Sequence, residues 1–100
     1  VIGEALRLLR IFNDCKRIDL AEGIGVTRAF LSGIENNKRT PSMRTLQKYA
    51  DYFDVTVSAI MLFAEDIEKD KKKPAKEAMR SKLIKFTQMM RWDHVTESLK

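Results

Sequence analysis

"LAEGIGVTRAFLSGIENNKRTPSMRTLQKYADYFDV" occupies residues 20–55, and its reading decides the fold. At its centre Gly25-Val26-Thr27 separates two short apolar ladders. Leu20, Ala21 and Ile24 fall at helical spacing before it, and Leu31 and Ile34 fall at helical spacing after it. Gly25 can take the left-handed conformation in which a helix ends. Thr27 can cap the next helix by accepting from the amide of Phe30. Two short helices joined in this way make a helix-turn-helix pattern. Ala21 is small enough to let the two helices approach, and Val26 and Leu31 can fill the wedge between them.

Outward from this centre the helical period continues in both directions. Ile2, Ala5, Leu6, Leu9 and Phe12 predict a first helix over 2–13, broken by "NDC". The second helix is expected over 17–23 and the third over 28–36. "NNKRTP" (36–41) is a turn, because Asn tolerates positive φ and Pro41 stops continuation. Ser42 caps a fourth helix carrying Met43, Leu46, Tyr49, Ala50 and Phe53. Thr56 caps a fifth through Ile60, Met61 and Phe63, with Ile67 at its limit. From Glu65 the composition turns charged, and "EDIEKDKKKPAKE" (65–77) reads as a solvated bridge broken at Pro74. A sixth helix is expected from Ala75 to about Trp92. Its Met79, Leu83, Phe86 and Met90 step by four, three and four, a heptad-like seam. The expected fold is all-α: a five-helix domain over 1–64, a charged bridge over 65–74 and a C-terminal helix over 75–100.

Composition narrows the function. The longest apolar run, Ala59–Ala64, is far too short for a membrane span. Cys15 is the single cysteine and His94 the single histidine, so neither a disulfide within the chain nor a cysteine or histidine metal cluster is available. Cys15 reads as core filler, and a reducing cytoplasm is the expected location. There is no paired histidine–carboxylate set and no phosphate-binding glycine loop, so no enzyme, metal or cofactor is expected. The net charge of +5 permits a polyanion partner. Between Ile24 and Ala50 stand Arg28, Lys38, Arg39, Arg44 and Lys48 against Glu35 alone, so most of the excess positive charge falls around the third helix.

The motif resembles the lambda-repressor-like, or XRE, helix-turn-helix family. The matching residues are Leu20-Ala21, Gly25-Val26-Thr27, Leu31-Ser32, Ile34-Glu35, Asn37-Lys38, Pro41-Ser42, and Leu46 with Ala50. The resemblance covers about residues 2–63. It implies sequence-specific binding of double-stranded DNA, with the third helix in the major groove. By position, Arg28, Ala29 and Ser32 would meet base edges, Arg28 matching guanine O6 and N7. Lys16, Arg17, Thr27, Lys38, Arg39 and Arg44 would meet the sugar-phosphate backbone. Arg10 and Glu35 would form a structural ion pair. Phe30 has two readings, packing between helices or resting on the backbone of DNA.

Three residues depart from the family pattern. Arg17 stands where relatives often carry Gln, and Asn37 where Gly is commoner. Gly33 stands where relatives often carry a long base-contacting side chain. The implied function is transcriptional regulation of the phage-repressor type, in a bacterial or phage-encoded homodimer. The sixth helix has three readings: dimerisation, packing back on its own domain, or capture of a protein partner. The last would suit an antitoxin that binds a toxin and autoregulates its operon.

Overall fold

The computed structural model describes the backbone of residues 2–71 and 73–99, and side chains as far as Met89 apart from residue 72. Among the described residues there are six helices and no strand. They are α1 (Ile2–Phe12), α2 (Arg17–Ile24), α3 (Arg28–Glu35), α4 (Met43–Phe53), α5 (Val57–Asp70) and α6 (Ala75–Leu99). The helix-turn-helix pair is α2–α3. It rests on α1 and α4, while α5 and α6 close the far side. Leu6, Leu9, Leu20, Leu31, Ile34, Tyr49, Ile60 and Ile67 form the buried centre. The Tyr49 hydroxyl is buried there and makes no hydrogen bond with the described residues. Burial, reinforced by the negative charge of Glu35, pushes the Tyr49 phenol well above its ordinary pKa.

The helices begin and end by a repeated chemistry. Thr27, Ser42 and Thr56 each accept from the amide three residues on, at 3.0, 3.1 and 3.0 Å. The first four helices all end in a left-handed residue: Asp14, Gly25, Asn37 and Asp54. After each, the next N–H reaches the carbonyl five residues back. These bonds run from Cys15 to Arg10 (3.0 Å), and from Val26 to Ala21, Lys38 to Gly33 and Val55 to Ala50 (2.9 Å each). Cys15, Val26 and Val55 then turn inward onto the core. Lys38, at the end of α3, is exposed instead.

α1 and α3 cross closely because Gly3 has no side chain. A Cβ there would fall on the Ile34 carbonyl oxygen, and the Gly3 N–H donates to Asn37 Oδ1 at 3.2 Å. A buried ion cluster fastens the same crossing. The Glu35 side chain is 0% exposed, and Arg10, 11% exposed, holds it with both Nε (2.8 Å) and Nη2 (3.0 Å). Arg10 Nη1 donates to the Cys15 carbonyl at 2.9 Å, which ties the exit of α1 to the cluster. Arg17, the first residue of α2, adds its Nε to Glu35 Oε1 at 3.1 Å. The hydrogen bond to Glu35 raises the Arg10 pKa above its ordinary value against the opposing effect of burial.

The C-terminal part departs from the sequence reading in two ways. First, the segment from Glu65 to Asp70 is helix, not bridge: α5 continues through it with Ile67 and Asp70 buried. The charged run conceals this extension because Glu65, Asp66, Glu68 and Lys69 are exposed or half-buried while Ile67 and Asp70 turn inward. The connection shrinks to 71–74. Second, the expected seam of α6 is divided. Phe86 is buried against Phe12 (ring centroids 4.9 Å) and Phe63 (6.4 Å), whereas Met79 and Leu83 are 48% and 49% exposed. The inward stripe is Ala78, Lys82, Phe86 and Met89, rotated from the apolar one because α6 docks through ion pairs as well as rings. Lys82 meets Glu4 at 3.0 Å, and Lys85 meets Asp70 at 3.0 Å. Lys73 also reaches Asp70, at 3.1 Å. Met43 and Met61, expected on buried stripes, are exposed. Met90, Trp92 and His94 lie outside the residues whose side chains are described.

Two outcomes follow for stability. Hydrogen bonding from Lys85, then from Ser81 and Lys73, lowers the Asp70 pKa from 3.8 to about 2 even though burial opposes it. A depressed folded-state pKa contributes stability that is full above about pH 4 and is lost as pH falls toward 2. Asp70→Asn should therefore lower stability at neutral pH and flatten the acid limb of a stability–pH curve measured by urea unfolding. Glu35→Ala strands a nearly buried guanidinium and should cost about 3–5 kcal/mol. Glu22→Ala, at an exposed position of α2, should stay within about 0.5 kcal/mol of the parent. Equal unfolding midpoints for these two variants would remove the cluster from the account of stability.

Candidate nucleic-acid interface

The outer face of α3 follows from its period. Leu31, Ile34 and Glu35 point inward, which leaves Ala29, Ser32 and Gly33 on the outer side, and Arg28 stands free of the core as the first residue of the helix. Arg28 and Ala29 are exposed, Ser32 and Gly33 half-buried. Arg28 makes no ion pair with the described residues, so its guanidinium fork is available to an outside acceptor. The Ser32 hydroxyl accepts from Asn36 Nδ2 at 3.2 Å, one turn on. Thr27 is exposed, but its oxygen is occupied by the cap of α3.

The bases around α3 occupy different settings. Lys16 precedes α2, exposed and making no side-chain cap bond. Arg17 is 40% exposed and shares Glu35, so one edge of its guanidinium is committed and the other faces outward. Lys38 and Arg39 lie in the turn after α3, both exposed. Arg44 is exposed in the first turn of α4, where a cation works against the helix dipole and contributes nothing to the helix itself. The acid that interrupts this basic stretch in the sequence, Glu35, is buried and neutralised by two arginines. The surface is thus more uniformly positive than the sequence order suggests.

Two arrangements were not legible in the sequence. Arg17 joins the Arg10–Glu35 pair, a three-way contact across α1, α2 and α3. Its only signal is an arginine where a neutral side chain is commoner. The second is a cation–π contact: Arg39 places Cζ 5.0 Å from the centre of the Phe30 ring, which also packs against the core. Phe30 therefore packs between helices and carries a cation on its outer side. Among the described residues there is no metal-binding cluster, and no helix is long and apolar enough to cross a membrane.

Comparison with known proteins agrees with this architecture. The helix-turn-helix family profile matches residues 6–60, from within α1 to the start of α5. The chain is 30% identical over 60 residues to the immunity repressor protein of Bacillus phage phi105, covering 60% of this chain and 42% of that protein. It is 32% identical over 71 residues to the HTH-type transcriptional regulator SinR of Bacillus licheniformis, covering 70% of this chain and 64% of SinR. An uncharacterised HTH-type transcriptional regulator of Methanocaldococcus jannaschii is 31% identical over 61 residues, which are 61% of this chain and 92% of that protein. The chain thus spans less than two thirds of the phage repressor and of SinR. No solved structure gives a significant match. With the capped α2–α3 pair, its left-handed glycine turn and a profile match over more than half its length, the chain belongs to the XRE family of helix-turn-helix proteins.

Proposed function

We propose that this protein binds double-stranded DNA in a sequence-specific manner and regulates transcription as a repressor of the phage type. One observation carries the reading: α3 presents an exposed face headed by an arginine that makes no ion pair with the described residues, while the acid at its other end is buried and neutralised. An α-helix fits the major groove of B-DNA, and its N-terminal residues are the ones that reach base edges. Arg28 is then the leading base reader, Ala29 meets a thymine methyl, and Ser32 donates to a base or phosphate. Lys16, Arg17, Thr27, Lys38 and Arg44 meet the sugar-phosphate backbone. Glu35 holds Arg17 at the start of α2, where helix-terminal amides add to the attraction for phosphate. Relatives carrying the names of an immunity repressor and of transcriptional regulators support the same reading.

A single domain of this size covers one half-site, and we propose a two-fold dimer on a palindromic operator. With Phe86 committed to the core, the surface that remains for a second copy is the outer side of α6, where Met79, Leu83 and Ile84 are exposed. A toxin seated on the same residues is the antitoxin reading; the relative named an immunity repressor supports the repressor reading instead.

Arg28→Ala should weaken binding to a selected sequence by about 1–3 kcal/mol and relax preference at one base pair. Lys38→Ala should weaken binding to all sequences alike and reduce the salt slope by about one. Unchanged affinity of Arg28→Ala for selected and random duplexes would remove α3 from the recognition surface. For the dimer, Leu83→Glu should shift sedimentation of the full-length protein toward monomer while leaving the melting temperature in place. A parent protein that stays monomeric at high concentration would exclude this dimer.

A further inference from the structure

The outer face of α3 has a gap at Gly33, and the turn that follows the helix fills it. The Gly33 carbonyl accepts from the amides of both Lys38 (2.9 Å) and Arg39 (3.1 Å), so the chain wraps back onto this residue. A Cβ built on Gly33 would lie 3.7 Å from Arg39 Cβ and 3.8 Å from Arg39 Nε. The arginine side chain therefore passes directly over the position a longer residue would occupy. Its guanidinium ends 5.0 Å from the centre of the Phe30 ring. Phe30 lies three residues nearer the N-terminus of α3, about 4.5 Å along the axis. Arg39 is thus rooted beyond the end of α3 yet carries its charge back toward the half of the helix that holds Arg28 and Ala29.

We propose that Arg39 is a base-reading residue that takes the place of the missing side chain at position 33, recognising the O6 and N7 edge of a guanine in the major groove. The inference rests on the assignment of α3 as the recognition helix, and it moves Arg39 out of the backbone-contacting set expected from the sequence. Three features set its geometry. The Phe30 ring holds the guanidinium by cation–π attraction, which limits the rotamers it would otherwise sample. The two amide hydrogen bonds to the Gly33 carbonyl bring the root of the side chain across the helix. With Cζ held over the ring at 5.0 Å, the planar fork of an exposed arginine can offer two N–H groups that match the two guanine acceptors. Phe30 acts here as a positioning residue, since it touches the reader rather than the base.

The test is selection of bound duplexes from a random pool, followed by affinity measurement on the selected and on random DNA, for the full-length protein and four variants. Arg39→Lys keeps the charge and loses the fork. It should retain affinity for random DNA within about threefold and lose about ten- to a hundredfold on the selected sequence, with relaxed preference at one G·C pair. Arg39→Ala should lose the same preference and also weaken random binding. Phe30→Leu keeps the inward packing and removes the ring face, and should reproduce the relaxed preference at that same base pair. Arg28→Ala should relax a different base pair. If Arg39→Lys keeps the parent's preference at every position, or Arg39→Ala weakens selected and random DNA equally, Arg39 is a phosphate contact and the inference fails. If Arg28→Ala still relaxes its own base pair in that event, the recognition assignment of α3 stands without it. If the parent selects no sequence, both fall together.

Discussion

The carboxylate of Glu35 is the constraint on which the rest of the molecule depends. It is fully withdrawn from water, which is costly for a charge unless its oxygens are well satisfied. Arg10 from α1 grips both oxygens, and Arg17 from α2 shares one of them. The same Arg10 holds the Cys15 carbonyl in the exit of α1. One anion at the end of α3 therefore positions three helices relative to each other. Apolar packing alone would tolerate small slides among them, whereas a two-pronged guanidinium–carboxylate contact has a narrow geometry. The electrostatic consequence is equally direct: burying the one acid of the region leaves its surface to the bases.

Close approach does the complementary work. The crossing of α1 over α3 needs the absent side chain of Gly3, and α2 lies against Tyr52 of α4 through the absent side chain of Gly23. Four helices end with a left-handed residue, and at three of these ends the next side chain folds onto the core. α3 is the exception, where Lys38 turns out to solvent. The same backbone device that seals the interior elsewhere projects a cation from the end of the proposed recognition helix. At Gly33 the carbonyl does this work instead: it accepts from the amides of Lys38 and Arg39 and draws the following turn across the outer face of α3.

The C-terminal helix shows how far ion pairs can redirect an apolar pattern. Read by hydrophobicity, α6 has its stripe on Met79, Leu83 and Phe86. In the fold only Phe86 of these is inside, and Lys82 and Lys85 lie beside it on partners from α1 and α5. The acids that receive them, Glu4 and Asp70, are far apart in sequence, one near the beginning of α1 and one at the end of α5. The helix thus packs back on the core of its own domain, one of the three readings its sequence left open, and keeps a partly apolar outer side.

What the sequence determined by itself is local. Thr27, Ser42 and Thr56 start helices because a hydroxyl two or three bonds from the backbone can reach an amide three residues on, and Gly25 ends one because it takes positive φ without strain. Those signals, with the apolar period, were enough for the all-α fold and the helix-turn-helix; the Arg10–Glu35 pair was implied by family resemblance alone. Charge content could not set the end of α5, because of residues 65–70 only Ile67 and Asp70 are buried, and four charged residues surround them at exposed or half-buried positions. Tertiary structure alone decided which side of α6 faces inward, that Arg17 joins Glu35, and that Arg39 lies over Phe30 across Gly33. Each of these depends on a partner from another turn or another helix, at a distance that no spacing along the chain encodes.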